Sequence, residues 1–269
     1  MALEITENIR HITSRCFINA PFDFLKDNID SIINLGIQPE IGLENDILYT
    51  FSLDEFSEVA RKLKAASLSC TLHAPFHELS VGALDPFIRE ASRNKLRKAF
   101  NLIEVFEPRS IVCHLGFEDN KHGYKQEKWF NNSLEGWQEL LEIAEVNKTH
   151  LMLENTYETS PLQLKEMIEA LDSQYARFCL DVGHTLTFAK NRWQDWLPEL
   201  EPWLGQLHLH DNHGDRDTHL PIGQGLFDFD SFVAYLKVKN LSPIMTLEPH
   251  REEDVVESLL AFDKVFTRD

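Results

Sequence analysis

The sequence has 269 residues, of which 43% are hydrophobic, enough to fill the core of one large α/β barrel. Its 44 acidic residues against 26 basic ones give a formal charge of −18. This excess disfavours nucleic acid as a partner, because such binding depends on Lys and Arg displacing phosphate counterions, although a locally basic face would still allow it. No apolar run approaches membrane-spanning length, and residues 1–7 are acidic without the layout of a secretion signal, so we expect a cytoplasmic protein with no membrane partner.

Predicted strands and helices alternate along the chain, at roughly 30 residues per pair, which is the rhythm of repeated βα units. The predicted strands cover residues 12–18, 39–41, 69–73, 110–114, 151–154, 177–181, 206–210 and 244–248. The predicted helices cover residues 22–34, 53–66, 88–106, 129–146, 162–171, 193–204, 229–239 and 252–266. No linker or composition break separates these pairs. We therefore predict a single (β/α)8 TIM barrel, one domain over residues 1–269.

An open doubly wound sheet is the main rival to this fold. It would need a glycine-rich phosphate loop after the first strand, where residues 19–22 instead read Asn-Ala-Pro-Phe. The Gly-Gln-Gly at residues 223–225 lies too late and is too short for a dinucleotide fingerprint.

The cysteines are scattered, each within a predicted strand, and have no metal-type spacing: they are Cys16, Cys70, Cys113 and Cys179. We expect buried, reduced thiols.

Histidines and carboxylates recur at or just after the carboxyl ends of the later predicted strands. They are His73, His114, Glu154, Asp181, His184, His208, Asp217, His219 and Glu248. A parallel α/β barrel places its chemistry at that end of the strands. Carboxylates packed there would repel one another, and bound divalent cations would remove this penalty. The pattern predicts a metal-dependent enzyme.

These residues divide into candidate metal sites by ligand type. One histidine and three carboxylates suit Mn²⁺ or Mg²⁺ and tolerate Zn²⁺ or Co²⁺; this set is Glu154, Asp181, His208 and Glu248. A second pocket adds two imidazoles and could share Glu154 as a bridge; its histidines are His73 and His114. Two histidines with one carboxylate favour zinc or iron-group ions; this third set is His184, Asp217 and His219. We expect one to three ions per chain.

The remaining histidines receive lesser roles. His210 is predicted to lie beside the site as a hydrogen-bond donor or acid–base group. His77 is surplus to the ligand sets, and His213 is interpreted as plain loop. A surface position is the default expectation for the others, which are His11, His122, His150 and His250.

These motifs resemble the superfamily of xylose-isomerase-like barrels, which contains sugar phosphate isomerases and epimerases as well as endonuclease IV. The resemblance rests on Asp-Val-Gly-His at residues 181–184, His-Leu-His-Asp-Asn at 208–212 and Asp-Thr-His-Leu-Pro-Ile-Gly-Gln-Gly at 217–225. It implies that sugar isomerases need the four-residue set, with His184 near the substrate. It also implies that the nine ligand positions match the three metal sites of endonuclease IV. Residues 74–78 read Ala-Pro-Phe-His-Glu, in place of that family's Tyr-Leu-type wedge for opening DNA.

Two enzymatic hypotheses follow. The first is a divalent-metal-dependent isomerase or epimerase of a sugar or sugar phosphate, acting through a metal-chelated enediolate. Glu154 or Glu248 would move the proton, and His184 or His210 would steer the oxygen. The alternative is an endonuclease IV-like multinuclear phosphoesterase acting on a small phosphoester or abasic DNA. The acidic charge and the missing wedge favour the first; a non-catalytic barrel that binds a polyol is a third, weaker hypothesis. A homodimer is compatible with the sequence.

Overall fold

Eight parallel strands close into a barrel in the computed structural model, which describes residues 9–267. In chain order the strands are β1 Phe17–Pro21, β2 Gln38–Gly42, β3 Thr71–His73, β4 Ser110–His114, β5 His150–Glu154, β6 Ala176–Asp181, β7 Leu204–Leu209 and β8 Ile244–Leu247. Each strand pairs with its sequence neighbours, and β1 pairs with β8 to close the ring. The predicted TIM barrel is confirmed.

Helices surround this barrel. They are α1 Arg10–Thr13, α2 Phe22–Asp27, α3 Ile29–Leu35, α4 Ile47–Thr50, α5 Leu53–Ala65, α6 Pro86–Phe100, α7 Ile103–Phe106, α8 Asp119–His122, α9 Gln126–Val146, α10 Leu162–Leu171, α11 Val182–Thr187, α12 Leu197–Leu200, α13 Phe229–Val238 and α14 Asp254–Phe266. Short 3-10 turns occupy Gly123–Lys125, Trp193–Asp195 and Glu201–Trp203. None of the helices in residues 9–267 is long and apolar enough to cross a membrane.

Local sequence explains where the long helices begin. Ser52 and Glu55 form a reciprocal capping box that starts α5. At α6, the Asp85 side chain accepts from the N–H groups of Phe87 and Ile88, and Pro86 occupies the first turn, where a missing N–H costs nothing.

Four predicted elements are displaced or divided in the structure, and the others differ by at most a few residues at their ends. Residues 10–13 are helical and the first strand begins only at Phe17; Ile12 is buried because α1 packs against α14. The helix predicted over 22–34 is divided at Asn28, whose side chain donates to the Phe24 carbonyl at 2.9 Å. The helix predicted over 88–106 is divided between α6 and α7. The helix predicted over 193–204 is α12 flanked by 3-10 turns, and prolines stand in the first turns of two of these segments.

The barrel interior contains an apolar cluster on the β4–β6 side. Val112, Met152 and Cys179 are buried there in mutual contact, with Ile244 packed against them. All four cysteines are free and buried, as predicted, but Cys16 and Cys70 lie just before β1 and β3 and not within a strand.

Candidate metal centre

The predicted ionisable side chains meet at the carboxyl end of the barrel. Most end a strand or follow one by a few residues, and nearly all are buried. The group comprises His73, His114, Glu154, Asp181, His184, His208, His210, Asp217, His219 and Glu248. The fold therefore brings all nine predicted metal ligands, together with His210, into one region.

The first cluster forms around one oxygen of Glu154. Glu154 Oε2 lies 3.4 Å from His73 Nε2 and 3.3 Å from His114 Nε2. His73 Nδ1 is 3.0 Å from the Ala74 carbonyl. When Nδ1 carries the proton, this hydrogen bond fixes the ring orientation, and Nε2 then faces Glu154. Phe76 stacks on His114 with centroids 4.3 Å apart, so one wall of the site is aromatic.

The second cluster forms around His208, which is fully buried in β7. Its Nδ1 lies 3.3 Å from Glu154 Oε1 and 3.1 Å from Glu248 Oε1. On the other side of the ring, Nε2 lies 3.1 Å from Glu40 Oε1. Glu154 thus touches both clusters through different oxygens.

The third cluster forms around Asp217 Oδ2, which lies 3.2 Å from His184 Nε2 and 3.0 Å from His219 Nε2. Backbone carbonyls face the opposite ring nitrogens: the Asn155 carbonyl is 2.8 Å from His184 Nδ1, and the Glu248 carbonyl is 2.9 Å from His219 Nδ1. With the protons on Nδ1, both Nε2 atoms present lone pairs to the site.

Asp181 connects the third cluster to the strands. It accepts the His184 backbone N–H at 2.7 Å as the N-cap of α11, and its oxygens lie 3.0 and 3.1 Å from His210 Nε2. Gly183 makes this contact possible, because a Cβ there would lie 2.0 Å from the His210 ring. Asp181 was predicted in one set with Glu154, His208 and Glu248. Its carboxylate contacts His210, and it also has an oxygen within 4.8 Å of Glu248 and one within 4.8 Å of Glu154.

Charge and burial shift the pKa values of these groups in different directions. Burial favours the neutral form of Glu154, but the neighbouring histidines dominate and hold its pKa well below the usual value. Burial raises the pKa of Glu248 to about 8, with Asp181 and Glu154 adding to the shift against the opposing effect of His208. Burial lowers the pKa of His114, whereas nearby acids raise the pKa of His208 well above its usual range despite burial.

The donor set fits divalent cations. Four buried polar atoms of the clustered residues have no hydrogen-bond partner: Glu154 Oε2, His208 Nδ1, His210 Nδ1 and Asp217 Oδ1. Leaving such atoms unpaired is costly, and a ligand that accepts their lone pairs would offset that cost. Several overlapping groups keep their ligand atoms within 4.8 Å of one another, among them His73–Glu154–His208 and His184–His210–Asp217–His219.

A cavity of about 300 Å³ opens onto these clusters. Its walls include the rim residues Glu44, His77 and Tyr157, and no Lys or Arg is among the described residues that line it. His210 lies behind this surface, against Asp181 and stacked on His219 with centroids 3.8 Å apart.

Sequence reasoning missed Glu40 and His250. Glu40 is a carboxylate within a short buried strand, a signal that was present in the predicted strand 39–41. His250 is exposed, as expected, but its ring stacks on His219 at 3.5 Å and lines the cavity. The surface expectation is wrong for His122, which is buried and stacks on Trp129.

The loop after β7 is held by Asp211. Its carboxylate accepts the backbone N–H groups of Asn212, Gly223 and Phe227 at 2.9, 3.1 and 3.1 Å. Gly225 is required by this packing, since a Cβ there would lie 2.3 Å from the Asp211 carboxylate. The same loop presents Asp217 and His219 to the site. His213, exposed in this loop, fits its interpretation as plain loop.

Comparison with known proteins identifies the family. The model of the xylose isomerase-like TIM barrel family matches residues 37–265, so the chain belongs to this family. Uncharacterized protein MJ1614 of Methanocaldococcus jannaschii is 28% identical over 192 residues, covering 70% of this chain and 74% of that protein.

Solved structures share the barrel over almost its full length. A D-tagatose 3-epimerase-like protein superposes with a TM-score of 0.80 at 20% identity, covering 93% of this chain and 97% of its own. The TTHB071 protein from Thermus thermophilus, soaked with ZnCl2, gives 0.77 at 22% identity over 93% and 98%. A D-psicose 3-epimerase, in the presence of D-fructose, gives 0.76 at 14% identity over 94% and 100%. At these identities the likeness establishes the fold.

Proposed function

We propose that the chain is a divalent-metal-dependent sugar isomerase or epimerase, with residues 1–269 forming one domain. The observation that carries the proposal is the approach of two buried carboxylates, Glu154 and Glu248, to the same nitrogen of His208 at the open end of the barrel. Such a reaction removes a proton beside a carbonyl and returns one, which a pair of carboxylates with separated pKa values can do. The D-psicose 3-epimerase and the D-tagatose 3-epimerase-like protein among the structural neighbours support this reaction class.

The clustered ligands would hold the cation, one to three ions per chain. Glu154, Asp181, His208 and Glu248 form the proposed main set, and the histidine clusters on either side offer further positions. When bound, the cation supplies Lewis acidity that lowers the cost of negative charge on a substrate oxygen. The oxygen-rich set favours Mn²⁺ or Mg²⁺ and tolerates Zn²⁺ or Co²⁺.

The chain's own side chains have distinct proposed roles. Glu154 and Glu248 exchange the proton with substrate carbon, and His184, whose ring lines the cavity, hydrogen-bonds a substrate oxygen. His210 acts through Asp181, which it contacts at 3.0 Å, as a positioning residue. A cavity wall without Lys or Arg among the described residues favours a neutral sugar over a phosphorylated one.

Proton exchange with solvent tests this proposal. The purified chain, loaded separately with Mn²⁺, Co²⁺, Mg²⁺ or Zn²⁺, is incubated in D₂O with D-fructose, D-tagatose or D-psicose. We expect deuterium to enter the carbon beside the carbonyl, detected by mass spectrometry, and a new epimer or isomer to appear on chromatography. Glu154→Gln and Glu248→Gln should abolish both signals, whereas His213→Ala, in the exposed loop, should retain them. Absence of exchange with every metal and a wide set of neutral sugars would contradict the proposal.

Phosphoester hydrolysis is the second candidate, and one observation favours it. The histidine clusters around Glu154 Oε2 and Asp217 Oδ2 exceed what a single-metal isomerase requires. Several ions there would suit displacement at phosphorus. Cleavage of bis(p-nitrophenyl) phosphate or an abasic duplex, with three ions per chain by elemental analysis and no deuterium exchange, would select this function.

A further inference from the structure

Glu40 is a fully buried carboxylate in β2 that belongs to none of the predicted ligand sets. One of its oxygens, Oε1, lies 3.1 Å from His208 Nε2 and accepts from the Asn19 amide at 3.3 Å. The other, Oε2, accepts from the Gln206 amide at 2.6 Å and from the hydroxyl groups of Thr71 and Thr246 at 2.9 and 3.3 Å. These donors come from β1, β3, β7 and β8, so Glu40 connects strands across the barrel interior.

An isolated buried carboxylate would be strongly destabilising, and this network offsets the cost. A scaffold role alone, however, would be served as well by apolar packing of the kind that Val112, Met152 and Cys179 provide on the other side of the barrel. The feature that apolar packing could not reproduce is the contact with His208.

Neighbouring hydrogen bonds determine how Gln206 is oriented beside that contact. Its Oε1 accepts from Ser110 Oγ at 2.6 Å, and its Nε2 donates to Glu40 Oε2 and to Thr246 Oγ1 at 3.1 Å. Flipping the amide would place oxygen against the Glu40 carboxylate, so Nε2 must face Glu40. Both amide hydrogens of Gln206 are then donated to oxygens that lie closer than His208 Nε2, which is 3.4 Å away. Glu40 is therefore the group that accepts a hydrogen bond from His208 Nε2.

We propose that Glu40 is the positioning residue for His208: it accepts the Nε2 proton and thereby aims the Nδ1 lone pair between Glu154 and Glu248. This inference rests on the proposed function, because it assigns Nδ1 as a ligand of the divalent cation. His208 Nδ1 is buried and without a hydrogen-bond partner, as a nitrogen reserved for a ligand should be. A carboxylate behind a ligating histidine fixes its tautomer and orientation and raises its basicity.

Metal affinity and imidazole NMR test this role without relying on turnover. Zn²⁺ binding to the full chain is measured by competition with a chromophoric chelator at fixed pH. Glu40→Gln should weaken the site containing His208 by about 10–100-fold. Thr71→Val is the matched control, since it removes a donor to the same carboxylate without touching His208; we expect its affinity to stay within about threefold of the original.

The NMR measurement needs no variant at Glu40. In the Zn²⁺-loaded chain with ¹⁵N-histidine, His208, assigned by loss of its signals in His208→Asn, should bind through Nδ1 and retain a proton on Nε2. Binding through Nε2, or unchanged affinity in a folded Glu40→Gln chain, would overturn the role of Glu40 while leaving the proposed function intact. A wild-type chain that binds no divalent cation would overturn both.

Discussion

The carboxyl end of the barrel, here called the mouth, and the layer of side chains beneath it, here called the lower layer, belong to the same strands but differ in how their polar atoms are paired. At the mouth, His114, Glu154 and Asp181 end their strands, and several of the polar atoms there lack partners. Two residues earlier, on the same face of each strand, stand Val112, Met152 and Cys179, in an apolar cluster. On the opposite side of the barrel the lower layer is polar, but there Glu40 is surrounded by donors.

This contrast separates stability from ligand binding. Buried atoms without hydrogen-bond partners make the mouth costly. In the lower layer the apolar cluster is buried, and both oxygens of Glu40 accept hydrogen bonds. Substitutions at the mouth should therefore change what the protein binds, and substitutions in the apolar cluster below it should change how stable the protein is. Glu40, which contacts His208, is expected to affect binding as the mouth residues do.

The largest expected effect is at the carboxylate shared by two clusters. Glu154→Gln removes the charge that faces both the His73–His114 pair and His208, so we expect turnover to fall by about 10³-fold or more and bound metal to be lost. Turnover of the identified substrate and elemental analysis measure this. Glu44→Gln, at the rim of the same cavity, is the control for metal content. Equal metal loss in both variants would contradict the view that Glu154 holds the metal and Glu44 does not.

The apolar cluster of the lower layer should respond in the opposite way. Met152→Ala opens a cavity at a side chain only 2% exposed, and we expect a loss of about 3 kcal/mol in unfolding free energy. Urea titration of the metal-free chain measures it. Zn²⁺ affinity should remain nearly unchanged, and a marked drop in that affinity would show that the mouth and the apolar cluster are not separable.

Cation binding should stabilise the mouth directly. A cation at about 100 times its dissociation constant adds about 2.7 kcal/mol to the folded state. For a chain of this size that corresponds to a rise of about 5–10 °C in Tm, reversed by a chelator. Scanning calorimetry with and without EDTA measures the shift, and an unchanged Tm would argue against cation binding at the mouth.

The sequence predicts the barrel well because alternation of short apolar runs and amphipathic helices repeats along it. The position of the mouth ligands follows from that fold, since parallel strands bring their carboxyl ends to one rim. Strand 110–114 and helix 162–171 were predicted at their observed bounds.

The errors arise where burial comes from tertiary packing and not from the local pattern. Ile12 looks like a strand residue because it is apolar and followed by Cys16 and Phe17, yet it is buried by a helix. The sequence also does not predict which side chains contact one another within the site. Which neighbour Asp181 faces depends on the approach of His210 over Gly183, a three-dimensional contact that strand alternation does not encode.

The smallest effect concerns Glu158, a buried anchor beside the mouth that the clusters do not use. Its two oxygens accept the N–H groups of Phe117 and Thr156, both at 2.8 Å, and burial raises its pKa from 4.5 to about 7. Between those two pH values the folded chain holds a proton that the unfolded chain has released, so this contribution to unfolding free energy declines as pH rises through that window.

Glu158→Gln cannot titrate and should lack this decline. For the metal-free chain, the stability of the original relative to the variant should therefore fall by about 2 kcal/mol from pH 5 to pH 7. Urea titrations at both pH values measure the difference, with the exposed Glu166→Gln as the control for losing one carboxylate. A difference that is constant with pH would mean that this carboxyl is already ionised at pH 5 and that its two backbone N–H donors outweigh its burial.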